Sequence, residues 1–310
     1  MSARITVVGS LNMDLVVCAP RIPQPGETII GGEFHTAPGG KGANQAVAVA
    51  RMGVRVSMVG RVGSDAFAQP LLDGLDADGV DHAFVTQDPK AATGVALIVV
   101  DDAGENSIVV ASGANMHLSP ADVDAAEAVI ANADVLLVQL ETPLTAVARA
   151  VEIAHAYGVT VILNPAPACR LPDELLHLID VLIPNESETA LLTRLPVGDW
   201  SEVEAAAMTL RDLGVDNVVL TLGERGALLV GEKGKELVPA FEVKPVDTTA
   251  AGDAFVAGFA VALAEGRSLA DAVRWGNAAG ALATTKLGAQ PSLPTRRMVE
   301  ALIAPGSTGS

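Results

Sequence analysis

The sequence predicts an α/β fold: a three-layer, mostly parallel sheet flanked by helices, with a small β-sheet lid built from two insertions. Three observations carry this. Short β-branched runs alternate with Ala-rich, helix-forming stretches, the pattern of parallel strands joined by right-handed crossovers. The runs are apolar almost throughout, as strands covered on both faces must be. Two segments, 14–36 and 93–112, break the alternation.

Taken in order, ITVVG (5–9) reads as the first buried strand. Residues 14–36 then place Pro and Gly around short apolar runs, with no helical period. ANQAVAVARMG (43–53) and FAQPLLDGLDADG (67–79) read as helices, each closed by a Gly suited to a left-handed C-terminal turn. TGVALIVVDDAGENSIVVAS (93–112) reads as a hairpin turning between Asp101 and Glu105. The strands VLLVQL (135–140), VTVILN (159–164), VLIPN (181–185) and NVVLTLG (217–223) follow, interleaved with helices over 143–158 and 201–214. From residue 250 the chain reads as all-helical. Strands of the two insertions cannot stand alone, so they are expected to cover the main domain or to pair with a second copy. One domain over 1–304 is expected, lid segments 14–36 and 93–112 included, with 305–310 a disordered tail.

Composition narrows the function. Half of the 310 residues are apolar, which excludes a disordered chain. No apolar run reaches membrane-spanning length, and MSARITVVGS has no signal-peptide core. Two cysteines, Cys18 and Cys169, make no disulfide scaffold, and a cytoplasmic protein is expected. The formal charge of −17 argues against nucleic acid as a partner. It leaves room for a small anion in a locally built pocket.

Gly40-Lys41 is followed by Gly42 and Gly234-Lys235 by Glu236, so neither makes a P-loop. The first strand ends VVGSLNMD, without a dinucleotide fingerprint. Instead, PGGKGANQAVAVARMG (38–53) is a Gly-rich loop entering a helix, where backbone can approach a hydroxyl-rich ligand beside Lys41 and Asn44. Asn12 and Asp14, expected at the end of the first strand, point the same way; they suit vicinal hydroxyls or serve as turn residues. In PVDTTAAGDAFVAGF (245–259), a helix begins at TTAAGD. The N–H groups of Ala250, Ala251, Gly252 and Asp253 would be orphan donors at its positive end, an anion site. Asp253 is then either a general base or a helix cap. Asn185 and Glu188, as N-x-x-E, form either a capping box or an outer-shell Mg²⁺ site. Glu141 follows another strand end. The five histidines show no metal-ligand spacing and read as structural.

The segments GSLNMDLVV (9–17), GGKGANQAVAVARMG (39–53), PNESE (184–188), TLGERG (221–226), DTTAAGDAFVAGF (247–259) and GAQPS (288–292) together resemble the ribokinase-like carbohydrate kinase family, over about residues 4–302. The resemblance implies ATP-dependent phosphorylation of a sugar hydroxyl, with D-ribose and its 5-hydroxyl the expected acceptor. Asp253 matches the family's base, and Ala250, Ala251 and Gly252 its anion hole. Asn12, Asp14, Gly40, Lys41, Asn44, Glu141 and Asp253 match sugar-binding positions. Asn185, Thr221, Leu222, Gly223, Glu224, Arg225, Gly226, Gly252 and Asn277 match nucleotide-binding positions. Asp247, Thr249, Ala283, Lys286, Gly288 and Ser292 match ligands of an activating K⁺, and Glu188 a water-mediated Mg²⁺ position. A homodimer joined through the lid is also implied. Ala251 stands where Gly is commoner in the family; its backbone N–H is retained. A kinase for another sugar or a nucleoside and a catalytically silent sugar-binding protein are the competing readings. Lys41, the only basic residue in the pocket motifs, favours a neutral sugar, and the intact TTAAGD speaks against silence.

Overall fold

A computed structural model describes residues 3–304; the expected tail at 305–310 lies outside the described residues. The main sheet has nine strands in the order β13-β12-β11-β10-β9-β8-β1-β4-β5. They are β1 (Arg4–Val8), β4 (Arg55–Gly63), β5 (Asp81–Asp88), β8 (Val135–Val138), β9 (Thr160–Leu163), β10 (Val181–Leu182), β11 (Asn217–Thr221), β12 (Ala227–Gly231) and β13 (Gly234–Val238). All neighbours pair parallel except β11–β12 and β12–β13.

Alternation along the strands divides the core in two. Ile5 and Val7 of β1 face one layer, with the helices Lys41–Arg51, Ala251–Ala264 and Leu269–Ala283. Val8 faces the other, with Leu136, Val138 and the helix Leu144–Ala156. This is the two-sided cover that the apolar runs required.

The two insertions meet as a separate four-stranded sheet in the order β3-β2-β6-β7, formed by β2 (Asn12–Ala19), β3 (Phe34–Gly39), β6 (Gly94–Asp101) and β7 (Asn106–Ala111). The β6–β7 hairpin turns at 102–105, as expected. β6 pairs parallel with β2 across more than 80 residues of chain, so the lid closes only once the main sheet has brought its roots together. Four strands of the main sheet, β4, β5, β12 and β13, were not anticipated. The strand expected over 181–185 is two residues long, extended only by an isolated bridge from Asn185 to Thr221. Pro184 has no N–H to continue the ladder. No helix of the described residues is long and apolar enough to cross a membrane.

Candidate active site

The residues expected to bind the sugar gather where β1 gives way to β2. Asn12 and Asp14 are not at the end of the first strand; they lie on β2, in the small sheet. Their spacing still puts both on one face. Asn12 is buried, and its Oδ1 accepts from Asn115 Nδ2 at 2.8 Å. Asn115 also brackets Leu11, accepting from its N–H at 2.9 Å and donating to its carbonyl at 3.0 Å. Asp14 pairs in register with Ala37, and its carboxylate fills the space where a side chain on Gly39 would begin: a Cβ there would meet Oδ2 at 2.4 Å. Gly40 follows with φ 89°, a left-handed turn that starts the helix Lys41–Arg51. Glu141 reaches the same loop, its Oε2 accepting from Ser10 Oγ at 2.5 Å and from the Lys41 N–H at 3.1 Å.

Acids crowd this corner. Burial, then the charges of Glu141 and Asp253, push the Asp14 carboxyl up to about 7. Burial pulls the Lys41 ammonium down, but the charges of Asp253, Glu141 and Glu188 outweigh it and leave the group raised.

Asp253 lies in the first turn of the helix Ala251–Ala264 and is buried. Its carboxylate caps no helix N–H. Oδ2 accepts from Asn44 Nδ2 at 2.9 Å and Oδ1 from Gln45 Nε2 at 3.1 Å, so the capping alternative is set aside. Ala250 precedes the helix with φ 58°, a conformation that costs about 1–2 kcal/mol with a Cβ present. Ala251 departs from expectation, since its N–H donates to the Thr248 carbonyl at 3.2 Å. Among the described residues the N–H groups of Ala250, Gly252 and Asp253 meet no acceptor and remain open at the helix start.

These residues face a cleft of about 220 Å³ lined by Lys41, Asn185, Glu188, Thr221, Gly252 and Asp253, among others. Asn185 and Glu188 do form a capping box, with Glu188 N–H to Asn185 Oδ1 and Asn185 N–H to Glu188 Oε2, both 2.8 Å. Burial holds the Glu188 carboxyl above its usual range, against the Asn185 N–H and Lys41, which lower it. Thr221 ties β11 to this segment through its N–H and Oγ1, both on the Pro184 carbonyl. Gly223–Arg225 form a short 3₁₀ turn with Glu224 and Arg225 exposed, Arg225 paired with Glu186 at 2.5 Å. Leu222 is buried in the core and offers only backbone to the turn, while Gly226 closes it. Asn277 is buried and spends its Nδ2 on the carbonyls of Val238 and Pro239.

The two loops expected to cage a monovalent cation do meet. Asp247 accepts from Thr249 N–H at 2.9 Å and Oγ1 at 2.6 Å, and from Gly288 N–H at 2.8 Å. Burial works against ionisation of Asp247, but these bonds outweigh it and hold its carboxyl below the usual range. Ala283 ends the helix Leu269–Ala283, Lys286 is exposed, and the buried Ser292 donates to the Ala289 carbonyl at 2.8 Å.

Sequence reading missed Ser10, Gln45, Asn115, Gln139 and Asn164, all buried polar residues that hold the site's side chains. Gln139 carried a signal: it is the lone amide in VLLVQL.

Open N–H groups at a helix start, a buried carboxylate beside them and an acid-rich corner are what an α/β phosphotransferase requires. The pfkB family carbohydrate kinase profile matches residues 2–296. The chain is 47% identical over 298 residues to a ribokinase of Haemophilus influenzae, covering 96% of this chain and 97% of that one. It is 38% identical over 292 residues to a deoxyribokinase of Salmonella typhi, covering 94% and 95%. The solved Arabidopsis thaliana ribokinase complexed with ribose and ATP superposes with a TM-score of 0.90 at 35% identity, covering 97% of this chain and 99% of that one. The chain belongs to the pfkB family of carbohydrate kinases, and it is an ATP-dependent sugar kinase.

Proposed function

We propose that the protein transfers the γ-phosphoryl group of ATP to the 5-hydroxyl of D-ribose, with Asp253 as general base. The observation that carries this is the pairing of a buried carboxylate, capping nothing, with the open N–H groups of Ala250, Gly252 and Asp253. Phosphoryl transfer needs positioning and charge stabilisation above all, and these groups supply both. Asn12, Asp14, Gly40, Lys41, Asn44 and Glu141 hold the sugar; Asn44 Oδ1 is buried and unpaired in the protein, left to accept a hydroxyl. Asp253 then takes the proton of the attacking hydroxyl. Asn185, Thr221 to Gly226, Gly252 and Asn277 line the nucleotide side.

The surplus of acids around the single Lys41 suits a divalent cation. Mg²⁺ would be held through water by Glu188 and would neutralise charge on the phosphates. Asp247, Thr249, Ala283, Lys286, Gly288 and Ser292 would supply carbonyl, carboxylate and hydroxyl oxygens to an activating K⁺. Exposed Ile30, Phe34, Leu97, Ile108, Val109 and Val110 give the lid an apolar surface with no core of its own, which supports a homodimer joined lid to lid. Exposed, unpaired Cys18 and Cys169 suit a reducing, cytoplasmic setting.

The test is ADP release from ATP with ribose, 2-deoxyribose and nucleosides, on wild type and Asp253→Asn. Ribose should give the highest kcat/KM. Asp253→Asn should lose about 10²–10⁴-fold in kcat while ribose affinity stays within a few-fold. A variant keeping more than a tenth of the rate removes Asp253 from the base role.

A further inference from the structure

Behind Asp253 lies a chain of buried amides that the reaction as described does not use. Gln45 is wholly buried on the helix Lys41–Arg51, one residue after Asn44. Its Nε2 donates to Asp253 Oδ1 at 3.1 Å and to Asn164 Oδ1 at 3.3 Å. Its Oε1 accepts from Gln139 Nε2 at 2.6 Å. Asn164 Nδ2 donates to the Ile183 carbonyl at 3.0 Å.

The polarity of this chain is forced from both ends. A main-chain carbonyl and an ionised carboxylate can only accept. Asn164 must therefore turn its NH₂ to Ile183 and its oxygen to Gln45. Gln45 must donate to both Asn164 and Asp253, which leaves its oxygen for Gln139. Gln139 meets that need and leaves its own Oε1 buried without a partner. That oxygen lies where a Cβ on residue 9 would sit only 2.1 Å away, so Gly9 makes room for it. An unpaired buried acceptor is costly, and here it is the consequence of orienting Gln45.

We propose that Gln45 is a positioning residue for phosphoryl transfer: with Asn44 it clamps both oxygens of Asp253, fixing the direction in which the carboxylate meets the acceptor hydroxyl, and Gln139 fixes the direction of the Gln45 amide. The proposal rests on the reading of Asp253 as the base. Two consecutive residues of one helix grip the two oxygens of one carboxylate on a neighbouring helix. Rotation of the carboxylate breaks one grip or the other. Two lone-pair sites remain on the carboxylate for a hydroxyl proton. The other charges that reach this carboxylate come from Lys41, Asp14 and Glu188, and Gln45 bonds to none of them.

The experiment measures kcat at saturating ribose and ATP–Mg²⁺, and ribose affinity by calorimetry, for Gln45→Leu, Gln45→Glu, Gln139→Met and Asp253→Asn. Gln45→Leu should lower kcat about 10–100-fold, the scale of a lost hydrogen bond to a charged group, with ribose affinity within a few-fold. Gln45→Glu, which sets a second carboxyl against Asp253 in place of the donor, should lose at least as much in kcat, again with ribose affinity within a few-fold. Gln139→Met should lose about three- to tenfold in kcat, in the same direction, as the Gln45 amide loses its anchor. A folded Gln45→Leu with kcat within twofold of wild type overturns the proposal. So does a kcat within twofold of wild type in both Gln45→Glu and Gln139→Met, which decide the matter if the Leu variant does not fold. An inactive Asp253→Asn beside wild-type-like Gln45 variants overturns this inference alone; an active Asp253→Asn overturns the base assignment beneath it.

Discussion

Asp14→Asn should make the ligand-free protein more stable and a poorer sugar binder, with both effects depending on pH. The Asp14 carboxyl is pushed from 3.8 to about 7 by burial and by Glu141 and Asp253. The folded state therefore holds this proton more tightly than the unfolded chain. Stability attributable to Asp14 is full below about pH 4, falls as pH rises, and is lost above about pH 7. A displacement of roughly three pH units at about 1.36 kcal/mol each sets a ceiling near 4 kcal/mol. Relaxation and water entry return part of it, so Asn should gain about 2–4 kcal/mol at pH 8. Unfolding entropy for a chain of this length is roughly 0.65 kcal/mol per degree, which translates to about 3–6 °C in Tm. Scanning calorimetry without ribose at pH 5, 6, 7 and 8 reads this directly, and the gap should close toward acid. Calorimetric titration at pH 8 should show ribose affinity down by about 10–150-fold and ATP affinity little changed. Wild-type ribose affinity should itself weaken below about pH 7. A variant no more stable than wild type at pH 8, or a gap that persists unchanged to pH 5, would refute the charge-crowding account.

Three further outcomes are expected. Gly252→Ala should fold with equal or slightly higher Tm, since a Cβ there meets nothing within 4 Å and Ala is the better helix residue, yet kcat should drop at least tenfold as the methyl enters the anion hole; unchanged turnover would place the phosphoryl group elsewhere. Exchange of K⁺ for Na⁺ should lower the rate several-fold, and Asp247→Ala, which loses the carboxylate joining Thr249 to Gly288, should abolish the difference; equal wild-type rates in K⁺, Na⁺ and a bulky organic cation would remove the cation site. Light scattering at micromolar concentration should give a dimer for the wild type and a monomer for Val109→Lys, because Val109 is 63% exposed on the lid; a monomeric wild type would count against lid pairing.

The central strands were legible because burial on both faces leaves only apolar residues, as in β8 and β9. β4 was not, because RVSMVGRVG mixes exposed Arg55 and half-buried Arg61 with its core positions. β5 lies at the edge of the sheet, where DHAFVTQD is free to be polar. Asn12 and Asp14 were read as site residues but on the wrong strand: GSL (9–11) carries the chain from the main sheet into the lid within three residues. Helix-start chemistry was read well at Asn185 and Glu188, where a capping box needs only a spacing of three. It was read less well at TTAAGD, where the Thr248 carbonyl takes the Ala251 donor through a turn that no spacing rule contains.

The residues that escaped detection share one property. Asn115 joins Asn12 across 103 residues of sequence, Gln45 joins Asp253 across 208, and Gln139 joins Gln45 across 94. Periodicity and motif spacing report on local structure, so partners this distant leave no pattern. What they do leave is an anomaly of composition: one amide in an otherwise apolar strand, and one in an Ala-Val helix. A neutral polar group in such a place is costly to bury unless it is fully paired. A second, remote amide is then implied by the first, even before its position is known. The same reasoning separates Gln45 from Asn44. Asn44 keeps one buried oxygen without a partner, whereas every polar atom of Gln45 is already committed within the protein.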